Sequence, residues 1–569
     1  MRKYLAQIIL SVILFSCGEK QKPADMIVSG GTIYTMDVNS PTAEAVAVSD
    51  GKIIYVGAAA DAQKYKGEST TMVDLQGQTM TPGFIESHGH MMGLGYNEMN
   101  LDLMDTKSWD EIVDRVKEAV GKAQPGEWIV GRGWHQDKWD KQPEKMVKGF
   151  QTHHKLSEVS PDNPVFLGHA SGHAGFANAK AMQIAGVNQM SIEKMEKDLG
   201  EGGEIIRDEL GNPTGLFNER AQGLIYNYIP ENTEETDSKA LELAMDACAR
   251  EGITSFHDAG ASRSDVALFQ KFRAEDKLKT RLYVMVTGRD PELVYEWIRR
   301  GPLVDSTDFL TIRSIKLNCD GALGSRGAWL LEPYTDRDNW YGMPTLSMDT
   351  VLSVSKAALK GGFQVCSHAI GDRANREILD RYETAFNENP TMATNHRFRI
   401  EHAQHVHPQD IPRFGKLNVI AAMQAIHLSS DRPWAIDRLG EKRIVEETYV
   451  WQDLMKSGAM IINGTDVPVE PISPVASFYA SVSRRTLQGE PEGGYEPSQK
   501  MTREQALRSY TLDAAYGAFQ EDDLGSIEVG KTADFTIFSQ DLMTVPEDQL
   551  LGTKISKTIV NGKIVYEAP

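Results

Sequence analysis

The chain has 569 residues, 41% of them hydrophobic and 25% charged, an ordinary balance for a globular protein. At roughly 150 residues per domain that is about three or four domains, or one large barrel with additions. The formal net charge of −20 excludes a nucleic-acid partner, because neutralising phosphates requires clustered Lys and Arg.

Arg2 and Lys3 precede the apolar run "YLAQIILSVILFS", which ends at Ser16-Cys17-Gly18 before the polar "EKQKPAD". The run is shorter than the ~20 residues a membrane-spanning helix needs, so residues 1–17 read as a signal peptide. "LFSC" resembles the lipobox of bacterial lipoproteins, although Phe15 stands where a small residue is usual. That resemblance implies a lipidated Cys17 and an exported chain, anchored to a membrane of the bacterial envelope by lipid only. A plain signal peptide with an incidental cysteine is the alternative. Cys248, Cys319 and Cys366 show no disulfide spacing and read as small buried residues.

Next come "DMIVSGGTIYTMD" and "AVAVSDGKIIYVG", β-rich and broken by Gly pairs and Asp50-Gly51. Their counterparts at the far end are "ADFTIFS" and "ISKTIVNGKIVYE", with Asn561-Gly562. Asp-Gly and Asn-Gly between β-rich runs predict two-residue hairpins. Residues 18–82 and 519–569 therefore predict one discontinuous β-sandwich, with Pro82-Gly83 as the hand-over to the middle.

The middle, 83–518, alternates short apolar runs with amphipathic helices. Eight runs qualify as strands: 83–88, 253–258, 281–286, 312–317, 363–368, 398–402, 419–424 and 459–466. Helical stretches such as "SKALELAMDACAREG" and "DTVLSVSKAALKGG" lie between them and stop at Gly. This pattern predicts an α/β fold, a (β/α)8 TIM-type barrel. About 165 residues separate the first two strands, far more than a crossover needs. An inserted subdomain with its connections over 91–245 is expected, forming a lid or pocket wall at the C-terminal face.

The strand ends carry chemistry. The first ends in His88 and His90, the fourth in Lys316, the fifth in His368, the sixth in His402 and the eighth in Asp466. A single His at a strand end is more often structural, and "GTD" is an ordinary turn. Their convergence on one barrel mouth points to a metal site, since imidazole suits zinc and carboxylate fills the harder positions. For Lys316 the alternative is an ion pair with Asp320, which would leave one metal. His427 and Asp431 lie at the same rim as substrate or oxyanion binders, or as ordinary loop residues. His169 and His173 stand in the insertion. Trp134 and Trp329 are candidate pocket walls, although plain packing is the better reading of each.

Read in order, "PGFIESHGH", "GHASGHAGFANAKAM", "GALGSRGAWLLEPY", "HAIGDRAN", "RIEHAQ", "GTDVPVEPISP" and "GSIEVGKTADF" resemble the amidohydrolase superfamily. The branch is amidohydrolase-3, which includes the YtcJ-like proteins and N-substituted formamide deformylase. Glu86 departs from the family's usual Asp. The resemblance implies two Zn2+ ions bridged by a carboxylated Lys316. His88, His90 and Asp466 would hold one ion, and His368 and His402 the other. It also implies a metal-activated water and Asp466 as catalytic acid/base, cleaving a C–N bond of a small amide-type substrate. Deamination, cyclic-amide hydrolysis and a non-catalytic metal-containing binding lipoprotein are the other readings. A homodimer is compatible with all of them.

Overall fold

The computed structural model describes residues 22–136, 139–169, 174–187, 203–230 and 232–569. Cys17, His173 and the signal segment lie outside these residues.

The barrel strands, numbered in chain order, are β1 (Phe84–Gly89), β2 (Ile253–Ala261), β3 (Arg281–Thr287) and β4 (Leu310–Asn318), followed by β5 (Gln364–Ala369), β6 (Arg399–His402), β7 (Ile420–Met423) and β8 (Ile461–Asn463). They pair in parallel, each with the next. The two-residue period of a strand decides what faces where. Leu282, Val284 and Val286 of β3 share a core with helix residues such as Leu241, Phe269 and Trp297. Met285, between them, packs with Ala259 and Cys366 inside the barrel. The three cysteines are free and buried, as expected.

Strands β8 and β1 meet without a regular ladder. The Asp466 N–H donates to the His88 carbonyl at 2.7 Å, and the His90 N–H to the Val467 carbonyl at 2.8 Å. Below them the buried Glu86 carboxyl fills the seam. It accepts from the Thr465 N–H and hydroxyl, both at 2.8 Å, and from the His88 N–H at 3.0 Å. Burial pushes it up to about 8 against those hydrogen bonds. Gly464 is required here, since a Cβ would lie 2.2 Å from Glu86 Oε1 and 2.7 Å from the His88 nitrogen.

Both termini build one eight-stranded sheet beneath the barrel. Both predicted hairpins form, with φ of 51° and 73° at Asp50-Gly51 and 51° and 72° at Asn561-Gly562. The expected sandwich is instead one continuous sheet whose two edges roll together. A Cβ on Gly51 would lie 2.4 Å from Asn561 Oδ1, so the hairpin tips touch. Met26, Val28, Ile33, Phe535, Ile537 and Ile559 fill the enclosed core.

The insertion after β1 carries its own six-stranded sheet, from Leu101–Asp102 to Pro213–Glu219. It has its own core around Trp109, Trp134, Trp139 and Phe176. Helix Glu234–Arg250 follows it and packs in the barrel core, starting at a Thr233–Thr236 capping box and burying Leu241, Ala244 and Cys248.

Candidate metal centre

Strand β1 carries His88 inward at its end, 1% exposed. His90 then stands at the N-terminus of helix Met91–Met99, whose first N–H donates to Asp258 Oδ1 at 2.8 Å. Burial raises the Asp258 carboxyl to about 7, although this hydrogen bond opposes the shift.

The His88 ring is oriented from below. Its Nδ1 hydrogen-bonds the Glu401 carboxylate. That carboxylate pairs with the fully buried Arg399, Nε to Oε1 at 2.7 Å and Nη2 to Oε2 at 3.1 Å. Arg399 also donates to the Ser87 carbonyl at 2.5 Å and contacts His257 Nδ1 at 3.2 Å. Burial would raise Glu401, but Arg399 and His88 hold it well below the usual carboxylate range. A carboxylate only accepts, so His88 Nδ1 carries the proton and Nε2 presents a lone pair.

That Nε2 lies 2.9 Å from Lys316 Nζ and 3.5 Å from Asp466 Oδ1. His90 Nε2 is 3.1 Å from the same oxygen. One donor atom each from His88, His90 and Asp466 lies within 4.8 Å of the others. Tetrahedral ligands at the usual Zn–N and Zn–O bond lengths would be about 3.3 Å apart. The donor set therefore fits a divalent ion.

His402 closes the other side. Its Nδ1 donates to Gln424 Oε1 at 2.6 Å, and Gln424 is held by donating to the Ala422 carbonyl at 3.1 Å. His402 Nε2 is thereby left as an acceptor. The ring centroids are 4.8 Å from His88 to His402 and 4.4 Å from His402 to His368. His368 Nε2 is buried, makes no hydrogen bond and stands 3.4 Å from Asp320 Oδ1, so its lone pair is free for a ligand role. His402 and Asp466 both have left-handed backbone, φ 74° and 59°, a strain typical of functional positions.

Lys316 is buried, and burial lowers its ammonium pKa against the pull of Glu401 and Asp466. Asp320 is not its partner. The Asp320 carboxylate instead takes the backbone N–H groups of Trp329, Ile370 and Gly371 at 2.9, 3.0 and 2.8 Å. Burial would raise Asp466, but the His90 hydrogen bond and the nearby histidines hold it well below the ordinary range.

His427 stacks at 6.0 Å on His402, with Nε2 4.0 Å from Asp466 Oδ2. Asp431 follows one turn later and accepts from Gln404 at 3.4 Å. Trp134 is a correction. It is fully buried in the insertion's core, its indole N–H donates to the Leu167 carbonyl at 2.8 Å, and it offers no wall to a substrate. Trp329 is half-buried beneath the Arg373 guanidinium, 4.6 Å from its ring, and its carbonyl seats the start of helix Asp372–Glu388. The sequence reading missed Arg399, Glu401, Gln424 and the role of Glu86. Arg-x-Glu-His on one strand was the available signal, because two charges two residues apart face the same interior.

Glu401→Gln is expected to weaken metal binding about 10- to 100-fold by releasing the His88 ring. Chelator competition measures it, and unchanged affinity would remove Glu401 from this role.

The fold and this donor cluster define a metal-dependent barrel hydrolase. The amidohydrolase family profile matches residues 71–566, and the chain belongs to that family. Protein LONG AFTER FAR-RED 3 of Arabidopsis thaliana is 33% identical over 558 residues, covering 95% of this chain and 92% of that one. N-substituted formamide deformylase of Arthrobacter pascens is 26% identical over 555 residues, covering 95% and 98%. An uncharacterized metal-dependent hydrolase from Pyrococcus horikoshii superposes with a TM-score of 0.73 at 28% identity, over 92% of this chain and 99% of that one.

Proposed function

We propose that the protein hydrolyses a C–N bond of a small organic amide at a centre of two divalent ions, zinc by the nature of the donors. His88, His90 and Asp466 would hold one ion, and His368 and His402 the other. Lys316 would bridge them as a carbamate. The observation that carries this reading is the lysine itself. Its Nζ is buried 2.9 Å from a ligand nitrogen, and among the described residues no carboxylate lies within ion-pair distance. An ammonium has no lone pair to offer a metal. A neutral amine attacks CO2, forms the N–C bond and releases one proton, leaving an anionic oxygen donor. The similarity to a formamide deformylase supports the C–N assignment.

Divalent ions here would supply Lewis-acid polarisation of the carbonyl and acidification of water. The chain supplies the proton path. Asp466 Oδ1 is engaged by His90, so Oδ2 is the oxygen open to take the water's proton and pass it to the leaving nitrogen.

The test is hydrolysis of N-formyl, N-acyl and cyclic amides by metal-replete protein, beside metal analysis. Turnover of at least one amide class is expected, and none across the panel would sink the C–N reading. Close to two metals per chain are expected after bicarbonate treatment, falling to one in Lys316→Met. One metal in the unmodified chain would eliminate the bridge.

Export with a lipid anchor on Cys17 completes this reading. Among the described residues no helix is long and apolar enough to cross a membrane. Cys17→Ala is expected to shift the protein from the membrane fraction to the soluble one. Retention on membranes would exclude lipidation as the anchor.

A further inference from the structure

Beside the metal centre lie two carboxylates, Asp431 and Glu470, that among the described residues pair with no Lys or Arg and have the His427 ring as their charged neighbour. Helix Ala425–Glu446 begins directly after β7, and its first turns present His427, Ser430 and Asp431. The segment after β8 brings Glu470 to the same place. The Ser430 hydroxyl donates to Glu470 Oε1 at 2.5 Å and stands 3.3 Å from Asp431 Oδ1. The Gln404 amide, two residues beyond His402, tethers Asp431 Oδ2 at 3.4 Å while donating to the Tyr449 hydroxyl at 2.8 Å. Both carboxyls are half-buried. Burial raises both against the pull of His427, and the Asp431 charge adds to the rise at Glu470.

Elsewhere buried carboxyls are matched either by backbone N–H groups, as Glu86, Asp258 and Asp320 are, or by arginine. Glu401 has Arg399, Asp534 has Arg281, and Glu496 has both Arg432 and Arg484. Among the described residues neither Asp431 nor Glu470 has a Lys or Arg within 4.0 Å. His427 is a second, independent sign. It is 7% exposed, its Nε2 has no hydrogen-bond partner and is 4.0 Å from Asp466 Oδ2, and its ring is close enough to both Asp431 and Glu470 to interact with their charges. A metal ion does not fit, because among the described residues no third His, Cys, Asp or Glu donor groups with this pair within 4.8 Å, whereas the ion on His368 and His402 would gain the Lys316 carbamate. An organic cation with several N–H donors does, since it can span two acceptors.

We propose that Asp431 and Glu470 form a cation-recognising subsite, so that the non-reacting part of the substrate carries an ammonium or guanidinium group. Ser430 and Gln404 position the two carboxylates, and His427 lines the passage from this subsite to the metal centre. The proposal rests on the amide-hydrolase reading for its place in catalysis, not for its ligand.

The test is calorimetric binding of benzylguanidinium and its neutral isostere benzylurea to metal-replete protein at low salt. The cation is expected to bind at least about tenfold tighter, as for other partly buried charge pairs. The preference should collapse in Asp431→Asn and Glu470→Gln variants whose unfolding midpoints match the parent. Equal affinity of the two probes for the unmodified protein would overturn the proposal, whatever the variants do. So would a preference that survives both substitutions. Probe discrimination with no turnover of any amide would strike the C–N reading and leave the subsite standing. Amide turnover with equal probe affinities would strike the subsite alone.

Discussion

Asp466→Asn is expected to lower kcat by about 10²- to 10⁴-fold with KM changed by no more than a few-fold. The asparagine keeps the shape of the side chain and a carbonyl oxygen at the position of the Asp466 donor atom. What it loses is a proton carrier at the Oδ2 position, which in the parent faces His427 at 4.0 Å. Metal content must be measured on the same sample, because Asp466 belongs to the donor cluster. Full metal with lost turnover isolates the proton-transfer role. Activity near the parental level at full metal would assign the base elsewhere, with His427 the nearest group.

Arg399→Met carries the largest expected effect on stability. It removes a guanidinium that is 0% exposed and leaves the equally buried Glu401 with His88 as its remaining hydrogen-bond partner. Breaking one side of a buried pair costs about 3–5 kcal/mol, because a desolvated charge loses its counter-ion. Thermal unfolding of the metal-free protein should show the loss. The double variant Arg399→Met with Glu401→Leu should recover most of it, since two apolar residues of similar volume desolvate nothing. Metal affinity should stay low in that variant, because nothing then orients His88. Recovery of stability and metal affinity together would mean that the pair has no part in building the centre.

The strand ends were legible because each is a local fact. A run of apolar residues closing on His, Lys or Asp marks both a strand and its mouth-facing residue. The eight expected strands differ from the observed ones by a few residues at their ends, which is where hydrogen-bonding definitions blur. Trp134 was open between two roles, because an aromatic side chain looks alike in a sequence whether it lines a cavity or fills a core, and here it fills the insertion's own core. Helix Glu234–Arg250, readable from its period as a helix ahead of the second barrel strand, buries Leu241, Ala244 and Cys248 in the barrel core, and a Cβ on Gly95 would lie 2.1 Å from its Ala240 carbonyl.

The sequence by itself determined the barrel, the two hairpins and the residues at the mouth. Periodicity, turn chemistry and the order of motifs are properties of neighbouring residues. Only the tertiary structure decided how these residues are held and which stand unmatched. Glu401 orients His88 across 313 positions, and Glu86 reaches Thr465 across 379. Asp431 and Glu470 come from different strand ends to share one hydroxyl. Such pairings depend on barrel closure and strand register, which set the distance between residues that no local pattern connects.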